Sequence, residues 1–408
     1  MAPVAISKKS ITMIKVDVLF PAYINATIGP CGTLRRLNKN KAYLESRGYE
    51  LSIFTLDNAI VRSSEQAVPI DFTKGLNLRS KIKKWLSKTY LGFLMMDKHN
   101  ISLSTKLLSY YLSLNRQADV VVFHESQTCG LFVPHKVESQ KVVCFFHSDG
   151  TRWGMQLSAY PFIKGSRWMK KRDAEIDRTL HRIDRYVFIA QMGQENFLRE
   201  NSFVSRESTS FFHNGIDDYP IIKKEDSIKF KYRLCTVGSL SHRKGQYLIV
   251  EALHNLDARL LEQIHLAIYG EGSDYDFIQN QIKEYGLEAH VTLYGNLPNK
   301  EIHEKLCEHN IFLLMSNNEG LPISIIEAMR AGLPVISTHV SGIPEEVDDR
   351  NGILIKPDAD ELSAVLSKID LYNWEEMGRQ SRLRFESEFS FQKMLESYCD
   401  MLDATIKQ

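Results

Sequence analysis

The chain has 408 residues, 43% of them hydrophobic, with 51 basic and 50 acidic side chains and a formal net charge of +1. That apolar content fills two ordinary cores, which excludes a disordered chain, and no apolar run approaches the roughly 20 residues that span a bilayer. The neutral total conceals a split: residues 1–215 hold 31 basic and 18 acidic side chains, while residues 216–408 hold 20 and 32, which predicts two domains with different partners.

The first twenty residues hold Lys8, Lys9 and Lys15. They lack the apolar stretch of about 7–15 residues that precedes a small-residue cleavage site, so they read as a short tail and a first strand. Cys31, Cys129, Cys144, Cys235, Cys307 and Cys399 are scattered and form no C-x-x-C. This predicts free thiols in a reducing compartment and a cytoplasmic protein. Strands are expected at 14–20 (IKVDVLF), 51–56, 120–123, 141–146 and 186–189, and further on at 234–237, 265–269, 291–293, 311–314, 334–337 and 352–355. Helices are expected at 33–47, closed by Gly48, and at 246–255, 274–285, 300–308, 324–331 and 360–366. The segment 389–408 reads as a last helix with Phe391, Met394, Leu395, Tyr398, Met401 and Leu402 on one face. Strands alternating with helices, their apolar runs continuous, predict an α/β protein with doubly wound parallel sheets. A polar, irregular seam near 214–226 sets the expected domains at 1–215 and 216–388, with the helix 389–408 packing back toward the first. Open sheets of this kind bind ligands beyond the carboxyl ends of their strands. The chemistry is therefore expected in the loops that follow strands, facing a central cleft.

The strongest signal is NNEGLPISIIEAMRAG, residues 317–332, directly after the apolar run IFLLM. Pro322 suits the first turn of a helix, where its missing N–H has no acceptor, and Gly332 is a natural stop. The N–H groups of that first turn attract anions. Glu319 would lie on the strand side and Glu327 two turns into the helix, both able to accept hydrogen bonds from hydroxyls. This suits a phosphorylated, hydroxyl-rich ligand such as a nucleotide sugar. A second element, VGSLSHRKG at 237–245, also follows a strand. Gly238 permits a tight exit, and Arg243 and Lys244 place positive charge where a leaving diphosphate would gather negative charge.

In order, VGSLSHRKGQ, IYGEGSDYDF, LYGNLP, EGLPISIIEAMRAGLPVIST, SGIPEEV and NGILIKP resemble the C-terminal half of the retaining nucleotide-sugar glycosyltransferases of family 4. The close resemblance covers residues 234–357. It implies the GT-B fold, two Rossmann-like domains about a cleft, and a nucleotide-diphosphate sugar donor of UDP or GDP type. It further implies that Glu327 holds the ribose hydroxyls and that Glu319 contacts the transferred sugar. Gly320 and the backbone of Leu321, Pro322 and Ile323 would meet phosphate and sugar, and Lys244 would neutralise the diphosphate. Gly270 belongs to the same donor side, and the backbone of Tyr294, Gly295, Asn296 and Leu297 would lie against the base. Where the family usually places a second phosphate-binding arginine, after Gly238, this chain has Ser239. Arg243 is the candidate replacement. No cofactor and no metal ion is expected, the nucleotide sugar being a substrate. The D-x-D of Asp274-Tyr275-Asp276 reads as helix capping.

The first half resembles the family more loosely. The loop 21–33 (PAYINATIGPCGT), with Gly32, corresponds to one placed against the donor, and His147 after KVVCFF to a histidine near the transferred sugar. His124-Glu125 is a weaker candidate of the same kind. The segment 78–96 (LRSKIKKWLSKTYLGFLMM) reads as a helix with Leu78, Ile82, Trp85, Leu86 and Phe93 on one face and Arg79, Lys81, Lys83, Lys84 and Lys88 on much of the rest. This pattern fits a helix lying on an anionic membrane leaflet and equally a solvated helix. RWMKKR at 167–172 is a second basic cluster. No nucleic-acid fold motif accompanies either.

Together these residues predict a retaining hexosyltransferase that moves a sugar to a glycan or lipid-linked acceptor in cell-surface polysaccharide, lipopolysaccharide or glycolipid biosynthesis. It would be cytoplasmic or peripheral on the inner face of the membrane. A nucleotide-sugar 2-epimerase on the same fold and a non-catalytic nucleotide-sugar-binding partner are the rivals. A dehydrogenase is disfavoured because no G-x-G-x-x-G opens the first βα unit.

Overall fold

The protein's structure, a computed structural model, describes residues 13–26, 29–59, 89–221 and 230–407. Two six-stranded sheets organise it. The first contains β1 (Ile14–Leu19), β2 (Tyr49–Phe54), β3 (Val120–Phe123), β4 (Lys141–Phe146), β5 (Arg185–Phe188) and β6 (Thr209–Phe211), in the order β2-β1-β3-β4-β5-β6. The second contains β7 (Tyr232–Val237), β8 (Ile264–Tyr269), β9 (Val291–Gly295), β10 (Ile311–Leu314), β11 (Val335–Thr338) and β12 (Gly352–Ile355), in the order β12-β11-β10-β7-β8-β9. The pairings of β1 with β2 and β3, of β3 with β4, and throughout the second sheet are parallel. These are the Rossmann-like α/β sheets expected from the alternation of strands and helices. Parallel strands are covered on both faces, and β3 and β10 accordingly bury all four of their residues.

The chain divides into two compact units. One comprises Met1–Phe146, Arg167–Val187 and Tyr398–Gln408; the other comprises His147–Ser166 and Phe188–Ser397. The second unit thus draws in segments from ahead of the seam at 215. Within the first unit, Asp17 on β1 is fully buried and held by Arg116 Nε at 3.0 Å and the Tyr111 hydroxyl at 2.9 Å. Tyr398, midway along the last helix, stacks on Phe145 at 5.8 Å, and Arg185 donates to the Ala404 carbonyl at 2.9 Å. Within the second unit, apolar residues from β7, β8 and β10 pack with the helices Gln246–His254, Tyr275–Glu284 and Ala359–Leu366. A second cluster gathers around the helix Ile323–Arg330.

Several expected elements change. The helix at 33–47 is two helices, Gly29–Lys39 and Lys41–Ser46, broken at Asn40. Gly32 therefore lies inside the first helix, not in a loop ahead of it. The continuous helix at 78–96 is also corrected: Thr89 is extended and caps a helix that begins at Tyr90, its side chain accepting from Gly92 N at 3.1 Å. Arg79, Lys81, Lys83, Lys84, Trp85 and Lys88 lie outside the described residues. The last helix runs Phe391–Ile406, and all six residues assigned to its apolar face are buried. All six cysteines are free thiols. Among the described residues, no helix is long and apolar enough to cross a membrane.

Candidate functional site

β7 is flanked by β10 on one side and β8 on the other, so the second sheet reverses its strand order there. Such a switch point opens a crevice at the carboxyl ends of the strands. Ile311 and Phe312 of β10 pair with Leu234 and Cys235 of β7. The loops leaving these two neighbours, 238–245 and 315–322, therefore start side by side although they are far apart in the sequence.

The first loop is tightly built. Gly238 has φ +152° and Gly245 has φ +68°, and a Cβ on Gly245 would stand 2.0 Å from the Met315 carbonyl oxygen. Gln246 Nε2 closes the turn on the Ser239 carbonyl at 3.2 Å. Asn317 N donates to Arg243 O at 2.8 Å, and the Arg243 guanidinium donates to Asn318 O at 2.6 Å. Both cations then converge on Glu319. Lys244 Nζ lies 2.6 Å from Glu319 Oε1 and Arg243 Nη1 lies 3.1 Å from Oε2. Ser316 Oγ adds a hydrogen bond to Oε1 at 2.7 Å. Glu319 is only 5% exposed. Burial alone would raise its pKa, but Lys244 and Arg243 overcome that and hold it below the ordinary glutamate value. Ser239 is exposed, and its side chain offers only a hydroxyl. The second cation of the loop is Arg243.

The helix Ile323–Arg330 begins one residue earlier than expected, with Pro322 at the position before it. Glu327 is half-buried and lies about one turn in, not two. Leu321 and Pro322 are buried, and Ile323 packs partly against the core, which leaves the backbone of this stretch as its polar surface. Gly320 is pressed between two neighbours. A Cβ there would stand 2.8 Å from His147 O, and a Cβ on Gly342 would stand 2.1 Å from Gly320 O. Burial lowers the pKa of His147 to about 4, so its imidazole is neutral near pH 7. Gly270 has φ +138°, and its Cβ position lies 1.9 Å from Gly238 O, which laces the β8 exit to the β7 exit. Gly295 O accepts from Gly270 N at 2.8 Å, drawing in the β9 exit. Tyr294 is 47% exposed and stacks at 4.9 Å on buried Tyr269, whose hydroxyl meets His309 Nε2 at 2.9 Å. Asn296 is exposed and Leu297 partly buried beside it.

The structure thus brings Gly238, Ser239, Arg243, Lys244, Glu319, Gly320, His147 and the Ile323–Arg330 helix into one unit, together with Gly270 and Tyr294–Leu297. Gly32 belongs to the other unit. Part of the second basic cluster is packing: Arg172 is paired with Asp97 at 2.9 Å and Glu175 at 2.6 Å, and Trp168 donates to Asp97 at 2.8 Å. Glu125 caps the helix Ser126–Phe132 through Gln127 N and Thr128 N, and His124 stacks on Phe145 at 4.4 Å, so both have structural roles. Asp274 stands at a helix start but caps no backbone N–H; it accepts from Ser273 Oγ at 2.8 Å.

Sequence reasoning missed three carboxylates near these loops, Asp149, Glu345 and Glu346. Asp149 accepts from Asn318 Nδ2 at 2.9 Å. Glu345 accepts from Gln191 N and Met192 N, each at 2.7 Å, and meets His213 at 3.0 Å. Glu346 is fully buried, and among the described residues neither carboxyl oxygen has a hydrogen-bond partner. Burial first, then the charge of Glu319, pushes its pKa well up, with Lys244 and Arg384 offsetting only part. Charging such a group costs the folded state stability as pH rises above the ordinary unfolded value of about 4.3. Glu346→Gln is therefore expected to raise the unfolding temperature at pH 7.5, with the gain shrinking toward pH 4.5. Thermal unfolding across that range checks this; a gain independent of pH would contradict it.

Residues 218–379 match the family model described as glycosyl transferases group 1. The chain is 23% identical over 224 residues to a phosphatidylinositol N-acetylglucosaminyltransferase subunit from Arabidopsis thaliana, covering 50% of this chain and 49% of that one. It is 30% identical over 182 residues to the putative colanic acid biosynthesis glycosyltransferase WcaL of Escherichia coli K12, covering 42% and 45%. The chain thus spans about half the length of these relatives. HepE from Anabaena, solved in complex with UDP, superposes with a TM-score of 0.65 at 16% identity, over 96% of this chain and 100% of that one. The fold is GT-B, and the second half carries a glycosyl transferase group 1 domain.

Proposed function

We propose that this chain, whose residues 218–379 carry a glycosyl transferase group 1 domain, is a retaining glycosyltransferase. It uses a nucleotide-diphosphate sugar and extends a glycan or lipid-linked acceptor. The observation that carries this reading is the convergence of Lys244 and Arg243 on Glu319 at the switch point of the second sheet. Two fixed cations beside the N-terminus of the Ile323–Arg330 helix form a site for a diphosphate. Glu319 holds hydroxyls of the transferred sugar, Glu327 those of the ribose, and the base rests against Tyr294–Leu297. The bond from the anomeric carbon to the diphosphate oxygen breaks. The acceptor oxygen bonds to that carbon on the same face, and its proton passes to the departing diphosphate. The side chains supply position and charge. The phosphatidylinositol N-acetylglucosaminyltransferase subunit and the putative colanic acid biosynthesis glycosyltransferase support an acceptor of that class, and the UDP complex of HepE supports UDP as the first nucleotide to try.

The test is to incubate purified protein with UDP- and GDP-sugars and glycan or lipid-linked acceptors. Nucleotide release and the anomeric configuration of the product are then followed by NMR. Acceptor-dependent nucleotide release with retained configuration is expected. An inverted product would overturn the retaining reading. Epimerised nucleotide sugar formed without acceptor would indicate an isomerase, and no turnover with any donor would indicate a binding partner.

A further inference from the structure

The loop that leaves β4 bears His147 and turns sharply. Gly150 has φ +78°, and a Cβ there would stand 1.8 Å from Gly193 O. Asn196 Nδ2 holds Asp149 O at 2.9 Å, so the outer side of the loop is fixed to the helix Gln191–Glu200. Its inner side meets the Glu319 loop. Asp149 is only 8% exposed, and its two carboxylate oxygens work in different directions. Oδ1 accepts from Thr151 N at 3.1 Å and Thr151 Oγ1 at 2.7 Å, which shapes the loop itself. Oδ2 accepts from Asn318 Nδ2 at 2.9 Å.

Asn318 is well placed to pass this restraint on. Its side chain is tied to Asp149, its carbonyl accepts from Arg243 at 2.6 Å, and the next residue is Glu319. Asp149 accepts through Oδ2, which fixes the Asn318 amide with nitrogen toward it and oxygen away. Among the described residues that oxygen is buried without a partner, so the carboxamide is held there by Asp149 rather than from its other side. The close approach of His147 O to Gly320 lies beside the same bond.

We infer that Asp149 and Asn318 are a positioning pair that sets the His147 loop against the loop bearing Glu319, so that the imidazole and the carboxylate meet the transferred sugar in fixed register. This rests on the function proposed above. Neither residue touches the reacting atoms. A misplacement of about 1 Å at such a site can cost about 100-fold in rate, whereas diphosphate binding through Lys244 and Arg243 needs no contribution from the His147 loop.

The pair can be tested by exchanging its members. In Asp149→Asn, two amide donors face each other, or the new amide turns and releases Thr151, or the Asn318 amide turns and leaves its NH2 unpaired in the buried position of its oxygen. In Asn318→Asp, two carboxylates face each other. Combining both substitutions restores the bond with reversed polarity. The amide introduced at position 149 donates to the carboxylate introduced at position 318, and its oxygen still accepts from Thr151. Each single variant is expected to lower kcat about 10–100-fold while the Kd for UDP stays within about 3-fold. The double variant is expected to recover kcat to within about 5-fold of the parent, and the unfolding temperature should follow the same lost-then-restored order. A double variant no better than the weaker single, or UDP binding lost in step with kcat, would overturn the inference. Absence of coupling in the unfolding temperatures would overturn it even without a turnover assay. A parent protein that transfers no sugar would instead defeat the proposed function, so the two failures are distinct.

Discussion

Lys244→Ala is expected to cut kcat/KM for sugar transfer by about 100–1,000-fold, the usual loss when one fixed group that stabilises developing charge is removed. Lys244 Nζ sits 2.6 Å from Glu319 with a side chain only 12% exposed, on a loop held by Gly238 and Gly245. Its charge is therefore aimed in advance, and a flexible lysine elsewhere or added salt does not replace it. The fold should survive, because Glu319 keeps Arg243 at 3.1 Å and Ser316 at 2.7 Å. Steady-state kinetics with a calorimetric Kd for the free nucleoside diphosphate checks the claim. Both affinity and turnover should fall. An active variant with unchanged diphosphate affinity would show that the phosphates bind elsewhere.

Gly245→Ala is expected to be one of the most damaging single-methyl changes in the second unit, in the class of Gly150 and Gly270. The added Cβ would stand 2.0 Å from the Met315 carbonyl oxygen, in a residue with φ +68°. That contact is with a fixed backbone atom, so either β10 or the start of the Gln246–His254 helix must move. The loss should exceed about 4 kcal/mol, the range reached only by severe core or backbone conflicts. Gly286 provides the control. Its φ is +66°, nearly the same, but among the described residues nothing lies within 4 Å of its Cβ position. Gly286→Ala should cost only the left-handed strain, about 1–2 kcal/mol. Urea unfolding of the two variants separates clash from strain; equal losses would mean that the Met315 contact is unimportant.

The strands were the most legible part of the sequence. Runs such as VVVF, KVVCFF and IFLL are short, rich in β-branched or large apolar residues, and bounded by polar turns, so β3, β4 and β10 fall where expected. β6 is only three residues long and gives no such run. Helices were less legible where their signals are not local. Glu125 caps Ser126–Phe132 in place of the usual short polar residue, and Asn40 interrupts a stretch whose apolar spacing continues across it. At the candidate site, EGLP and RKG stand out as motifs, but their ion pairs follow from the register of β7 against β10, which no local pattern encodes. Asp149 looks in sequence like any Asx turn, since D-x-T closes on itself through Oδ1. Only Oδ2 reaches Asn318, 169 residues away. Glu346 likewise follows Glu345 in an ordinary acidic pair; the hydrogen bonds that Gln191 N, Met192 N and His213 give Glu345, against the complete burial of Glu346, separate their behaviour.

Ile216 and residues 389–391 meet through two backbone bonds: Ile216 N donates to Phe389 O at 3.1 Å, and Phe391 N donates to Ile216 O at 2.9 Å. The polypeptide between them therefore leaves and returns at one place. A segment whose ends are neighbours can be spliced into another host without stretching the flanking chain. Both the 218–379 family match and the residues Lys244, Glu319 and Glu327 fall inside those ends. Two recombination breakpoints would transplant them together as one heritable cassette, while Asp149 and His147, which lie ahead of those ends, would have to be matched by the host.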